Sequence, residues 1–376
     1  MSVGRKWTAG AAVSRETAAL GAGVVGAGEV LRPVRSDAGP AQAGPVQAGR
    51  AHAGLARAGR AHAGLAQAGP TQAGPAQAGP AQAGEGVWTP IADEAERAAR
   101  VLHPDSYRLP RPSRRRLMTV ANQKGGVGKT TSAVNVAAGL ALHGLRVLVV
   151  DLDPQGNAST ALSVEHRSGT ASVYEVLLGD IGLGDAVQVC PHSENLLCVP
   201  ATIDLAGAEI ELVSMVARES RLKEALVPEA IDRLDVDYVL IDCPPSLGLL
   251  TVNAMVAADE VFIPIQCEYY ALEGLGQLLG NIELVQQHLN PSLTISTILL
   301  TMYDGRTKLA DQVTSEVRRH FGDVVLRTVI PRSVKVSEAP GFGQTVLTYD
   351  PGSRGAMSYL DAAREIAMRG GGEESA

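Results

Sequence analysis

Residues Gln123-Lys124-Gly125-Gly126-Val127-Gly128-Lys129-Thr130-Thr131 decide how this chain is read. They follow an apolar run, Leu117-Met118-Thr119-Val120-Ala121-Asn122, and precede an Ala-rich stretch of helical character that reaches to about His143. Strand, glycine-rich turn and helix in that order make a cradle for phosphate. Small residues let successive backbone N–H groups turn inward at a helix N-terminus, where the dipole favours anions. Lys129 is then expected to reach β- and γ-phosphates, and the Thr130 hydroxyl to ligate Mg²⁺. The loop departs from the usual G-x-x-x-x-G-K-[ST] spacing at its start. Gln123 stands where the first glycine belongs, and a lysine, Lys124, comes next. A second lysine there cannot easily fold back on phosphates that Lys129 already holds. It is suited instead to a nucleotide in a facing subunit.

Working outward, the texture on either side is that of an α/β domain. RVLVVDLD, YVLIDCPP, EVFIPIQ, TISTILLTMY and VVLRTVIP read as buried strands, separated by helical stretches such as 205–226 and 273–288. Apolar strands alternating with helices predict a doubly wound, mostly parallel sheet covered on both faces. In such folds ligands bind outside the carboxyl ends of the strands. Asp151, Asp153 and Asp242 all fall at strand ends on the phosphate-loop side. Each alone is an ordinary cap or turn residue. Together they point to a metal shell and a positioned water. Pro244, Pro245 and Gly248 are expected to shape a switch loop after Asp242.

Composition removes several function classes. The 376 residues carry a formal net charge of −7, so DNA binding by bulk positive charge is excluded, although a local basic patch is not. Only 3% of residues are aromatic, which argues against a stacking platform for single strands. No apolar run approaches the roughly 18 residues of a membrane span. Cys190, Cys198, Cys243 and Cys267 form no C-x-x-C pair, and Cys190-Pro-His192 is a weak metal pattern, so a reducing cytoplasm is expected. The first residues make a poor signal peptide, and Ser2 in place of Gly excludes myristoylation.

The first third of the chain is of a different kind. From Ala41 to Glu85 runs a five-residue repeat, AQAGP drifting to AHAGL and ARAGR, with no aromatic and no acidic residue before Glu85. Gly in every unit and Pro in many break a helix, and there is little to bury, so disorder is expected. A short helix is expected over 89–102, with Thr89 as cap, Pro90 at the first position, and Ile91, Ala95, Ala98 and Leu102 on one face. Arg111-Pro-Ser-Arg-Arg-Arg116 reads as a solvated linker able to supplement a DNA surface. The division predicted is 1–86 extension, 87–116 helix and basic linker, 117–370 folded domain and 371–376 acidic tail.

The segments KGGVGKTT, VLVVDLDPQGN, YVLIDCPPSLG, QCEYYALEGLGQL, LLTMYDGRT and IPRSVKVSEAP resemble the deviant Walker A P-loop ATPases, specifically the ParA/Soj-type partition proteins. The resemblance covers about 117–369 and leaves out the repeat. It implies ATP and Mg²⁺ as cofactors, with Lys124, Gly125, Gly126, Val127, Gly128, Lys129, Thr130, Thr131 and Pro331 around the nucleotide. Thr130, Asp151 and Asp242 fall on the metal side, with Asp242 in the Walker B place, and Asp153 orients the attacking water. It also implies an ATP-dependent homodimer in which Lys124 crosses to the partner. That dimer would bind double-stranded DNA without sequence preference through Arg306, Arg332 and Lys335, and a ParB-type centromere-binding protein would stimulate hydrolysis. Lys335 stands where some members carry Arg, and Arg332 serves either DNA or the adenine. The implied place is the cytoplasm, on the nucleoid, with no membrane partner.

From the residues alone, the DNA surface is not evident. Between 304 and 338 stand Arg306, Lys308, Arg318, Arg319, Arg327, Arg332 and Lys335 against Asp304, Asp311, Glu316, Asp323 and Glu338. The alternative functions are a MinD-like membrane-cycling ATPase, an iron–sulfur ATPase of the nitrogenase-reductase type, and a scaffold that binds ATP without turnover. The chain end SYLDAAREIAMRG is only moderately basic for a membrane helix. No in-cis arginine finger is evident, so slow intrinsic hydrolysis is expected.

Overall fold

A computed structural model describes residues 108–269 and 271–370 of the chain. The repeat, the helix expected over 89–102 and the tail 371–376 lie outside the described residues.

Eight strands form one sheet in the order β3-β4-β2-β5-β1-β6-β7-β8. They are β1 (Arg116–Val120), β2 (Val147–Asp151), β3 (Gln188–Val189), β4 (Leu196–Val199), β5 (Tyr238–Asp242), β6 (Glu260–Gln266), β7 (Thr294–Tyr303) and β8 (Val325–Pro331). Every pairing is parallel except β3 with β4. β2 and β5 are buried at all five positions, as expected of parallel strands covered on both faces. Alternation sorts their side chains into two layers. Leu148, Val150, Val239 and Ile241 enter one core, and Val147, Val149, Tyr238 and Leu240 the other.

The second core is closed by the phosphate-loop helix (Lys129–Leu142) and the C-terminal helix (Arg354–Gly370). Gly139 permits their close crossing, since a Cβ there would stand 2.9 Å from that of Ala363. The C-terminal helix puts Tyr359, Leu360, Ala363 and Ile366 into this core, so its apolar face is spent on packing. Among the described residues no helix is long and apolar enough to cross a membrane.

Two sequence readings change. The stretch 205–226 is not one helix but two, Leu205–Val213 and Arg221–Ala225. Ala217 between them adopts φ +54°. Buried Asn253 holds the break open, donating to the Arg218 carbonyl at 2.8 Å and accepting from the Leu222 amide at 3.2 Å. The arginine run 111–116 is also no free linker. Arg111 pairs with Asp237 at 3.5 Å, Arg115 with Asp232, and Arg116 with Glu260. These contacts strap the run to the amino edge of the sheet, opposite the phosphate loop.

Candidate nucleotide site

The register of the central strands builds the site. Val120, Asp242 and Asp151 lie side by side at the carboxyl ends of β1, β5 and β2. The phosphate loop therefore leaves β1 one strand away from Asp242 and two from Asp151. Gly126 and Gly128 take φ of +74° and +88°, the left-handed backbone that lets the loop turn into its helix. β7 holds the far end of the loop, as the Thr301 hydroxyl donates to the Val127 carbonyl at 2.8 Å. β6 holds the near end, with the Asn122 amide donating to the Pro264 carbonyl at 2.8 Å. Pro245, in the loop after Asp242, lies 4.0 Å from where a Cβ on Gly125 would stand.

The two loop lysines are treated differently. Lys129 is buried, and its ammonium turns back to the Lys124 carbonyl at 3.4 Å. Burial pushes its pKa down, against the opposing effect of the Asp242 and Asp153 carboxylates. Lys124 is half-buried, with its ammonium 2.8 Å from Glu268.

The carboxylates also differ. Asp151 is sealed from solvent and fully engaged: Oδ2 accepts from the Ser159 amide and hydroxyl at 2.9 and 2.7 Å, and Oδ1 from the Asp153 amide at 3.1 Å. Burial raises its pKa despite these bonds. Asp153 accepts from the Gln155 amide at 3.0 Å. Both oxygens of Asp242 are buried without a hydrogen-bond partner. Burial and the neighbouring Asp151 push Asp242 well above the usual carboxylate range, opposed by the Thr130 hydroxyl and the Lys129 ammonium. A buried, unpartnered carboxylate is costly alone and fits a hydrated cation held partly by phosphate. Among the described residues no three His, Cys, Asp or Glu side chains are grouped so as to hold a metal ion.

Arg306, Pro331 and Arg332 gather where β7 and β8 end, with Tyr303 opposite Pro331 and the Arg332 amide donating to the Tyr303 carbonyl at 3.0 Å. Each cation faced toward DNA by resemblance sits near a carboxylate. Arg306 makes a two-pronged pair with Asp304 at 2.8 and 2.7 Å, and Arg332 acts on the same Asp304 through its charge. Lys335 lies 3.1 Å from Glu338 and over the Tyr349 ring. Sequence reasoning missed β4, Thr301 and Glu268. β4 is a four-residue apolar run whose type only pairing with β2 decides, and a lone Thr or Glu gives no signal in one sequence.

An AAA domain family matches residues 115–295. The sporulation initiation inhibitor protein Soj of Bacillus subtilis is 55% identical over 255 residues, covering 68% of this chain and 99% of that protein. The chromosome partitioning protein ParA of Myxococcus xanthus is 51% identical over 254 residues, covering 68% and 88%. A Mycobacterium smegmatis protein described as cobyrinic acid a,c-diamide synthase, solved with an ATP analogue and magnesium, superposes with TM-score 0.56 at 41% identity, covering 66% and 93%. Such identity across nearly the full length of Soj, together with a phosphate loop carrying both Lys124 and Lys129, places the chain in the ParA/Soj family of P-loop partition proteins.

Proposed function

We propose that the chain is an ATPase that partitions DNA, working as an ATP-dependent homodimer. The observation that carries the nucleotide chemistry is Asp242, a buried carboxylate whose oxygens have no hydrogen-bond partner, one strand from the loop that presents Lys129 and Thr130. The partition role is supported by the likeness to Soj and ParA. The amides of Gly125, Gly126, Val127, Gly128 and Thr131 wrap the phosphates, Lys129 neutralises the β- and γ-phosphates, and Pro331 flanks the base. Thr130 and Asp242 would hold Mg²⁺, which when bound would supply positive charge against that developing on the transferred phosphoryl group. Asp151 supports the metal side from behind, fixing through its hydrogen bonds the loop that carries Asp153. Asp153 orients the attacking water. Lys124 crosses to the nucleotide of the second subunit.

In the dimer, Arg306, Arg332 and Lys335 of both copies form one face for DNA of any sequence. A ParB-type protein stimulates hydrolysis and releases the ATPase, so that chromosome or plasmid origins are positioned on the nucleoid in the cytoplasm. The domain 117–370 carries all of this. Residues 1–86 precede it as an extension and 371–376 follow it as a tail, while 111–116 belong with the domain through their ion pairs.

Phosphate release measured with and without DNA and a ParB-type centromere-binding protein is the direct test. Slow turnover that rises when both are present supports the reading, and turnover indifferent to both refutes it. Lys129→Ala is expected to abolish ATP binding, and Lys124→Ala to impair pairing more than binding. Asp153→Ala is expected to bind ATP and remain trapped as a dimer.

A further inference from the structure

We infer that Glu268 is a latch that holds Lys124 on its own subunit and has to open before Lys124 can engage a second copy of the chain. The inference rests on the reading above, in which Lys124 crosses between ATP-bound subunits. The Lys124 ammonium lies 2.8 Å from Glu268 Oε2, a contact between residues 144 positions apart. Both ends of this pair are rooted in the sheet. On one side, Asn122 accepts from the Lys124 amide at 3.1 Å and donates to the Pro264 carbonyl at the end of β6. On the other, the Cys267 amide donates to Thr301 of β7 at 3.1 Å, and the Gln266 side chain donates to Glu268 Oε1. Glu268 is therefore aimed by its neighbours and not free to wander, as an isolated surface acid would be.

A contact of this kind opposes dimerisation. One ammonium cannot stay against Glu268 and also lie on phosphate in the facing subunit, so every dimer requires two latches to open. The side chains of Lys124 and Glu268 are 34% and 41% exposed, which limits the strength of each pair. With two pairs opened per dimer, removing the latch is expected to tighten the dimer by about 2- to 30-fold. A carboxylate that merely supported the fold would weaken the dimer on removal. The sign of the change separates the two roles.

The test is sedimentation of the full chain with a non-hydrolysable ATP analogue and Mg²⁺, comparing wild type, Glu268→Gln, Glu268→Ser and Lys124→Ala. Analogue binding at protein concentrations too low for pairing is measured in parallel. The expected result is a lower dimer dissociation constant in both Glu268 variants, unchanged analogue affinity in the monomer, and loss of the dimer in Lys124→Ala. Glu268 variants that pair no better than wild type, while Lys124→Ala still fails to pair, overturn the latch alone. A Lys124→Ala chain that pairs like wild type overturns the crossing of Lys124 and the latch with it.

Discussion

The Thr301 hydroxyl donates to the Val127 carbonyl at 2.8 Å, so the phosphate loop hangs from the end of β7, 174 residues away in the chain. Thr301 and Val127 are both almost fully buried. Thr301→Val keeps the shape but strands the carbonyl, at a cost of about 1–3 kcal/mol. The expected outcome is lower thermal stability and weaker binding of a fluorescent ATP analogue, with both restored in Thr301→Ser. Equal affinity in the valine variant would show that the loop keeps its shape without β7.

Asp242 has the opposite balance. Burial and the neighbouring Asp151 outweigh what Lys129 and Thr130 offer its charged form, so Asp242→Asn is expected to stabilise the nucleotide-free protein by about 1–3 kcal/mol. For a domain of this size each kcal/mol raises Tm by about 2–4 °C. The same substitution is expected to abolish Mg²⁺-dependent turnover. Calorimetry and phosphate release on one sample check both. A destabilised Asp242→Asn protein would mean that the carboxylate has a structural partner.

On the basic edge, Arg306→Glu or Lys335→Glu is expected to weaken binding about equally on any duplex, because bonds to phosphate carry affinity without base information. For every DNA phosphate that is no longer neutralised, the log–log salt slope falls by roughly 0.9. Asp304 adds a sharper expectation, since it holds Arg306 by two hydrogen bonds. Asp304→Asn releases that guanidinium, and DNA affinity is expected to rise. Gel shifts with random duplexes at two salt concentrations, with and without ATP, decide it. Binding indifferent to all three substitutions would make these residues plain solvated surface.

At the other edge of the sheet, Arg116 donates to both oxygens of Glu260 and to the Ile366 carbonyl in the C-terminal helix. Arg116→Leu leaves Glu260 buried and unpaired, a loss of about 3–5 kcal/mol. The double variant Arg116→Leu with Glu260→Leu removes that charge and is expected to recover most of the stability. Chemical denaturation of the three proteins checks the cycle. A double variant as unstable as the single one would place the cost in the missing bond to Ile366.

The strands beside the site were legible because a buried parallel strand has to be apolar throughout. VLVVD and YVLID state this in five residues each, and each ends on its carboxylate. The glycines before Lys129 were equally plain, since φ values of +74° and +88° are ones that side chains resist. The sequence alone thus determined the fold class, the strand that carries the phosphate loop, and which acids stand at its edge. It did not determine what those acids do. Asp151 and Asp242 read alike, yet Ser159 and the Asp153 amide occupy the first while both oxygens of the second stay unpartnered. Nor did it break the helix at Ala217, pair Lys124 with Glu268, or fasten 111–116 to the sheet edge. Each of these depends on a partner remote in the chain, brought within hydrogen-bond reach only when the strands align. A residue's neighbours in sequence set its backbone preference; the groups that satisfy its charge are chosen by packing.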